Sequence, residues 1–303
     1  RRWINIGGQI MFDINELKEA ETLEEALKLL NENNNFKIIC GGTDILIKLR
    51  HGKMESVNLL SIRNIDCLKG IKLLEDNTIS IGAVTNFSEI FRNEIINEKI
   101  PILSEAAVSM GGPQIRNIAT IGGNICNGAV SADSVPALFA LNALLKLKSV
   151  NGERIVEIRD FYNGPGKVKI DKNEILTEVL IKEKEYINKQ GKYIKFTNRN
   201  ALDISMLGVA IVCEENKGEI NDLRIALGVA APIPLRCIKA EASGIGKKYS
   251  ESVINNIATI AMNESSPRNS WRGSKDYRLH LIKTLIKKIM KENFIYNEVN
   301  FCE

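Results

Sequence analysis

The sequence predicts an α+β protein of more than one domain, on three observations. Apolar runs of strand length stop at Gly41-Gly42 and again at Gly122-Gly123, and helical apolar spacing follows each. An Asn151-Gly152 pair separates two strand-like runs, the mark of a tight hairpin. From about Gly191 the texture shifts to three strand-like runs followed by helices, which reads as a separate α+β domain.

In chain order, Thr22-Leu23-Glu24-Glu25 is a capping box opening a helix with Leu23, Ala26, Leu27 and Leu30 on one side. The run Phe36 to Cys40 reads as a strand ending at Gly41-Gly42. Thr43 or Asp44 then N-caps a helix that buries Ile45, Leu46 and Leu49. Free amides at a positive helix end suit an anion. Val57 to Ile62 is a second strand, completing a small βαβ-like lobe. Ile71 to Leu74 and Thr78 to Gly82 flank a hairpin turn at Glu75-Asp76-Asn77. Thr85 caps a short helix, and Pro101 fits the first turn of another that directs Leu103, Ala106, Ala107 and Met110 to the core. Within the glycine-rich stretch Gly111 to Pro136, Thr120 to Asn124 reads as a strand end breaking into a turn with bare amides. Asp133 or Ser134 caps a helix carrying Leu138, Phe139, Leu141 and Leu144, and Glu174 to Ile181 is a closing strand. Tyr193 to Asn198, Met206 to Cys213 and Ile220 to Ala230 are strands, the last two joined by the polar turn Glu214 to Glu219. A helix follows from Leu235, then two more at Ser250 to Met262 and Lys275 to Met290.

Composition removes several function classes. With 303 residues, 44% of them hydrophobic, the chain can bury the cores of two or three domains. A net charge of +4, with no basic cluster beside aromatic residues, argues against nucleic-acid binding. No apolar run approaches ~18 residues, so no membrane span is expected. Arg1 to Ile10 lacks the apolar core of a secretory signal and reads as a disordered or expression-derived lead-in, with Met11 the native start. Six cysteines without a CxxC pair argue against a zinc or iron–sulfur site in this chain and for a reducing, cytoplasmic setting. Two histidines leave hydrolytic triads almost nothing to work with. Chemistry is therefore expected from a cofactor.

The segments Phe36 to Arg50 and Gly111 to Pro136 resemble the two flavin-binding loops of the FAD-binding (medium) subunit of molybdenum hydroxylases, the family of xanthine dehydrogenase and carbon monoxide dehydrogenase. Asn221 to Arg236 and Tyr277-Arg278-Leu279-His280 resemble its C-terminal domain, so the likeness covers nearly everything after Met11. It implies a two-lobed FAD-binding domain of the PCMH/vanillyl-alcohol-oxidase type, with lobes at 11–64 and 65–185, then an α+β C-terminal domain at 190–291 and a tail at 292–303.

The resemblance also assigns residues. Ile38, Ile39, Cys40, Gly41, Gly42, Thr43, Asp44 and Ile45 would surround the pyrophosphate and adjacent ribose. Met110, Ala119, Thr120, Gly123, Asn124, Cys126 and Asp133 would meet the ribityl chain and isoalloxazine ring, with Leu176 against the flavin and Lys195 near its pyrimidine edge. No catalytic or metal-binding residue is implied, and Arg116 and Arg199 read as structural partners of carboxylates such as Asp203. The chain departs from the family pattern at Ala129-Val130-Ser131-Ala132-Asp133, where Ala132 has no hydroxyl to donate. Neither His51 nor His280 lies where flavin attachment would be expected, so FAD is expected to be non-covalent.

The implied function is electron relay. A molybdopterin-binding large subunit would oxidise the substrate, a small subunit with 2Fe-2S clusters would pass electrons to FAD, and NAD+ would collect them as a transient co-substrate, since no GxGxxG fingerprint is present. The assembly could form a dimer of heterotrimers. Xanthine leads as substrate, with carbon monoxide and nicotinate-type or other aromatic substrates as alternatives. A self-sufficient flavin oxidoreductase and a non-enzymatic nucleotide-binding scaffold are the rival classes. The expectation that carries the rest is that two diglycine bends converge on one cleft.

Overall fold

A computed structural model describes residues 12–33, 35–199 and 202–294, the side chain of residue 293 aside, and the backbone of the paired strands Asn5–Ile6 and Gln9–Ile10. The remainder of the expected lead-in, and the tail beyond 294, lie outside the described residues.

The first layer is a three-stranded parallel sheet ordered Ile14–Glu19, Val57–Ser61, Phe36–Ile39. The middle strand sends Leu60 toward helix Leu23–Glu32 and Val57 and Leu59 toward helix Ile45–Arg50, so both faces are covered. In the first helix Thr22 Oγ1 accepts from the Glu25 amide at 3.2 Å, and Glu25 reaches back to the Glu21 amide at 3.0 Å. Leu23, Ala26, Leu27 and Leu30 are its buried residues, as the periodicity predicts. The second helix buries Leu49 but leaves Leu46 39% exposed, contrary to expectation, because six residues turn one narrow stripe to the sheet.

The next unit is a five-stranded antiparallel sheet ordered Ile71–Leu73, Ile79–Gly82, Ile175–Ile181, Leu144–Ser149, Gly152–Glu157. The late strand Ile175–Ile181 takes the centre, which brings residues near 174 back beside the early loops. Helices Phe87–Arg92, Glu94–Lys99, Pro101–Val108, Ile121–Cys126 and Ser134–Ala140 contribute to the core of this unit. Two sequence assignments move here. Asn86, and not Thr85, caps the first of these helices, since the Thr85 hydroxyl is spent on the Gly70 carbonyl at 3.1 Å. Leu144 begins a strand instead of closing the preceding helix.

The last unit is a four-stranded antiparallel sheet in chain order, Gln190–Phe196, Leu207–Asn216, Glu219–Gly228, Leu235–Arg236. Its second hairpin turns on Lys217-Gly218, both at positive φ, so the strands run further than the polar stretch Glu214 to Glu219 suggests. The helix expected from Leu235 starts at Ile238, because Leu235 and Arg236 pair with the third strand. One sheet face packs on helices Ile238–Gly244, Glu251–Glu264 and Lys275–Asn293. The other joins the previous core through Ala210, Val212 and Ala226. A Cβ on Gly228 would stand 3.0 Å from Pro136, so small residues let helix Ser134–Ala140 lie close on the sheet. Among the described residues no helix is long and apolar enough to cross a membrane.

Candidate functional site

Two loops meet where the first two units touch. In the first, strand Phe36–Ile39 ends, Gly42 takes φ +70°, and helix Ile45–Arg50 follows. Asp44 stands at the N-cap without a side-chain capping bond, and the amides of Gly42, Thr43 and Asp44 have no acceptor among the described residues. A helix of six residues has little dipole to offer. The unspent donors are amides of the turn itself.

The second loop differs from its reading in the sequence. Thr120 does not end a strand: its hydroxyl accepts from the Gly123 amide at 3.2 Å and caps helix Ile121–Cys126, which contains both glycines. The Gly122 amide bonds the Ala83 carbonyl at 2.8 Å and the Asn124 amide the Thr120 carbonyl at 2.9 Å, so these amides are not bare. What the glycines supply is proximity. A Cβ on Gly41 would strike the Ile118 carbonyl oxygen, and one on Gly122 would stand 2.7 Å from the Ala83 carbonyl oxygen. Backbone packs directly on backbone at both points, and the Gly41–Ile118 contact closes the two loops around one cleft.

The cleft has a volume of about 660 Å³, within the range that buries a drug-sized molecule. Ile38, Cys40, Gly41, Gly42, Thr43, Asp44 and Ile45 line it from one side; Met110, Ala119, Thr120, Gly123, Asn124, Cys126, Asp133 and Leu176 line it from the other. Two expected residues do not. Ile39 packs its side chain against the Leu49, Val57 and Leu59 cluster. Lys195 stands behind the wall, its ammonium 2.8 Å from Asp133 Oδ2 and 3.0 Å from the Ser109 carbonyl. Its charge therefore reaches the cleft through Asp133.

Asp133 is the main electrostatic feature of this wall. It is buried, its Oδ1 has no hydrogen-bond partner among the described residues, and desolvation pushes its carboxyl up to about 6 although Lys195 opposes the rise. The Tyr193 hydroxyl nearby is raised well above the ordinary range, first by burial and then by the Asp133 charge. Burial raises the Cys40 thiol and pushes the half-buried Cys126 thiol up to about 12, so the cleft presents neutral sulfurs. Ser134, two residues after Ala132, turns its hydroxyl to Asn124 Oδ1 at 2.7 Å.

Arg199 meets Asp203 at 3.5 Å, whereas the Arg116 guanidinium has no carboxylate partner among the described residues and instead donates to the carbonyls of Val108, Met110 and Gly111. Sequence reasoning missed Lys48, Asn127 and the stretch from Gly166 to Ile175, all of which contribute to the lining of the cleft. Arg154 grips Glu174 at 2.6 and 2.7 Å, holding its carboxyl below the usual range and this stretch in place. A signal for Lys48 existed, since it lies four residues after Asp44 on a helix and so shares its face. Nothing local marks Gly166 to Ile175, which the strand order brings in.

Comparison with known proteins decides the family. Residues 12–181 match the FAD binding domain in molybdopterin dehydrogenase, and residues 192–293 match the CO dehydrogenase flavoprotein C-terminal domain. The chain belongs to the family of molybdopterin-dehydrogenase FAD-binding subunits. Within that family it is 40% identical to the xanthine dehydrogenase FAD-binding subunit of Escherichia coli O157:H7, over 93% of this chain and 97% of that one. It is 30% identical to the nicotinate dehydrogenase FAD-subunit of Eubacterium barkeri, over 90% and 94%. A solved chain of the carbon monoxide dehydrogenase from Hydrogenophaga pseudoflava superposes with a TM-score of 0.89 at 27% identity, covering 93% of this chain and 98% of that one. This chain is thus an FAD-binding medium subunit of the molybdenum hydroxylase family, an oxidoreductase component.

The cleft fits that dinucleotide on its own evidence. One end offers turn amides without acceptors, which suit a diphosphate. The other offers Asp133 Oδ1, a buried acceptor without a donor, which suits the N–H-bearing polar edge of a flavin.

Proposed function

We propose that the chain holds FAD non-covalently in this cleft as the relay subunit of a cytoplasmic, xanthine dehydrogenase-like molybdenum hydroxylase. In this reading a molybdopterin-binding large subunit and a 2Fe-2S small subunit are its partners, in a dimer of heterotrimers, and NAD+ is the acceptor. The observation that carries it is the convergence of the Gly41-Gly42 and Gly122-Gly123 segments on one cleft with unspent donors at one end and an unspent acceptor at the other. Identity favours xanthine or a related purine, at 40% against 30% for the nicotinate relative.

In this assignment the amides of Gly42, Thr43 and Asp44 bind the diphosphate, while Thr120, Asn124 and Asp133 orient the flavin half beside Met110, Cys126 and Leu176. Lys195 holds Asp133 in its ionised, hydrogen-bond-accepting form near neutral pH, and so acts as a positioning residue. Bound FAD would supply acceptance of single electrons and release of two electrons as one hydride. The Cys40 and Cys126 thiols, kept neutral by burial, add no negative charge beside it.

The test is direct. Full-length chain purified from its native source should be yellow, should carry the two partner subunits, and should bleach anaerobically with xanthine and regain colour with NAD+. Thr43→Arg, which fills the diphosphate end, should abolish flavin retention with the fold intact. A colourless chain that FAD cannot reconstitute would remove the reading. Bleaching by nicotinate or carbon monoxide but not by xanthine would reassign the substrate.

A further inference from the structure

Lys48 crosses the cleft. It lies on helix Ile45–Arg50, and its Nζ donates to Asn127 Oδ1 at 2.8 Å, joining residues 79 apart in sequence. Both side chains line the cleft and both are half-buried. The ends of this bridge are fixed by backbone. The Lys48 amide bonds the Asp44 carbonyl at 3.0 Å, and the Asn127 amide bonds the Gly123 carbonyl at 3.0 Å. Because an ammonium can only donate, the Asn127 carbonyl oxygen and not its amide nitrogen must face it.

The charges lining the cleft are arranged unevenly. Glu174 is paired with Arg154 and Asp133 with Lys195, whereas Lys37, Asp44, Lys48, Asp171 and Lys172 have no salt bridge among the described residues; of these, Lys48 has its charged group anchored across the cleft. An ammonium has three donors, and Asn127 takes one. Two donors and a full positive charge remain on the cleft wall one helical turn from the unspent turn amides. The exposed Asp44 carboxylate opposes an anion at this end, so the attraction for an anionic ligand group rests on the anchored Lys48 ammonium together with the turn amides.

We propose that Lys48 is a further binding residue for the diphosphate of FAD, and that Asn127 positions it by anchoring the ammonium across the two loops. This rests on the FAD reading and adds to it a residue that neither glycine segment contains. The bridge places a cation against a doubly charged group without requiring the side chain to find its place on binding, so it acts on affinity and not on the chemistry.

The two roles of Lys48, cation and bridge, separate on paired variants. Lys48→Met keeps the apolar stem and removes the charge. Asn127→Asp keeps the bridge, now as an ion pair, and cancels the charge. FAD affinity of the full, flavin-stripped chain is measured by fluorescence titration at low and high salt, with a thermal melt to confirm folding. Lys48→Met should weaken FAD by roughly tenfold or more, as loss of a charge-assisted hydrogen bond implies. Asn127→Asp should also weaken it, by roughly threefold or more, and both variants should show a shallower salt dependence than wild type. Lys48→Met within about twofold of wild type would overturn the proposal, as would an Asn127→Asp chain that binds FAD as tightly as wild type, which would make the bridge a structural latch. A wild-type chain that takes up no FAD would overturn the parent reading first. Wild-type binding with an unaffected Lys48→Met overturns this inference alone.

Discussion

Asp133→Asn should remove one defined step from the pH dependence of stability. The carboxyl, ordinarily at 3.8, is pushed up to about 6 in the cleft, chiefly by desolvation. At 1.36 kcal/mol per pH unit, that difference amounts to about 3 kcal/mol. The sign follows from proton counting. Between about pH 4 and 6 the folded chain keeps a proton that the unfolded chain has released, so stability falls as pH rises through this window and stays lower above it. Asparagine does not titrate and contributes no such step. The substitution has a second effect, since the buried Lys195 ammonium keeps the Ser109 carbonyl but loses its counter-charge. That loss counts only above about pH 6, where the wild-type carboxyl is ionised, and Lys195's opposition is already contained in the value of about 6, so it adds no separate step. Urea unfolding of flavin-free wild type and variant at pH 4, 5, 6 and 7 gives two curves, and the wild type's stability relative to the variant's should fall by about 2.4 kcal/mol from the lowest pH to the highest. A gap constant to within about 0.5 kcal/mol would show that Asp133 titrates normally in the cleft, and the electrostatic account of the site would fail with it.

Gly41→Ala should destabilise the chain by about 1–3 kcal/mol and release FAD, because the new methyl meets the Ile118 carbonyl, a backbone group that cannot rotate away; unchanged urea midpoint and flavin content would count against the packing argument. Alkylation at pH 8 should modify exposed Cys67 well before Cys126, whose thiol at about 12 is ionised to only about one part in ten thousand, and FAD should slow Cys40 and Cys126 further. Peptide mass spectrometry reads the order, and early labelling of Cys126 would contradict it.

Local pattern carried the elements whose burial is one-sided. Helix Leu23–Glu32 buries the four residues its periodicity names, because a single stripe faces a single sheet. Strand Ile14–Glu19 left no such mark: it is an edge strand with Leu17 half-exposed, so alternation has nothing buried on one face to record. The site shows the same division. Fifteen of the seventeen expected residues line one cleft, since each glycine segment is continuous in sequence and only their meeting had to be inferred. The reason for that meeting was not legible. Gly41 and Gly122 look like bare loop glycines in the sequence, yet each is small because another stretch of main chain lies where its side chain would be. Lys195 looked like a ligand contact for a related reason. A lysine's charge is visible in the sequence, but the carboxylate that intercepts it lies 62 residues away, and that pairing exists only once the sheet and the helix that Asp133 precedes are docked. Lys48 inverts the case: an ordinary helix lysine by pattern, it becomes a cleft residue because Asn127 arrives opposite it from another unit. Chemistry that depends on one loop is therefore written locally, and chemistry that depends on what stands across the cleft is written in the order of the strands.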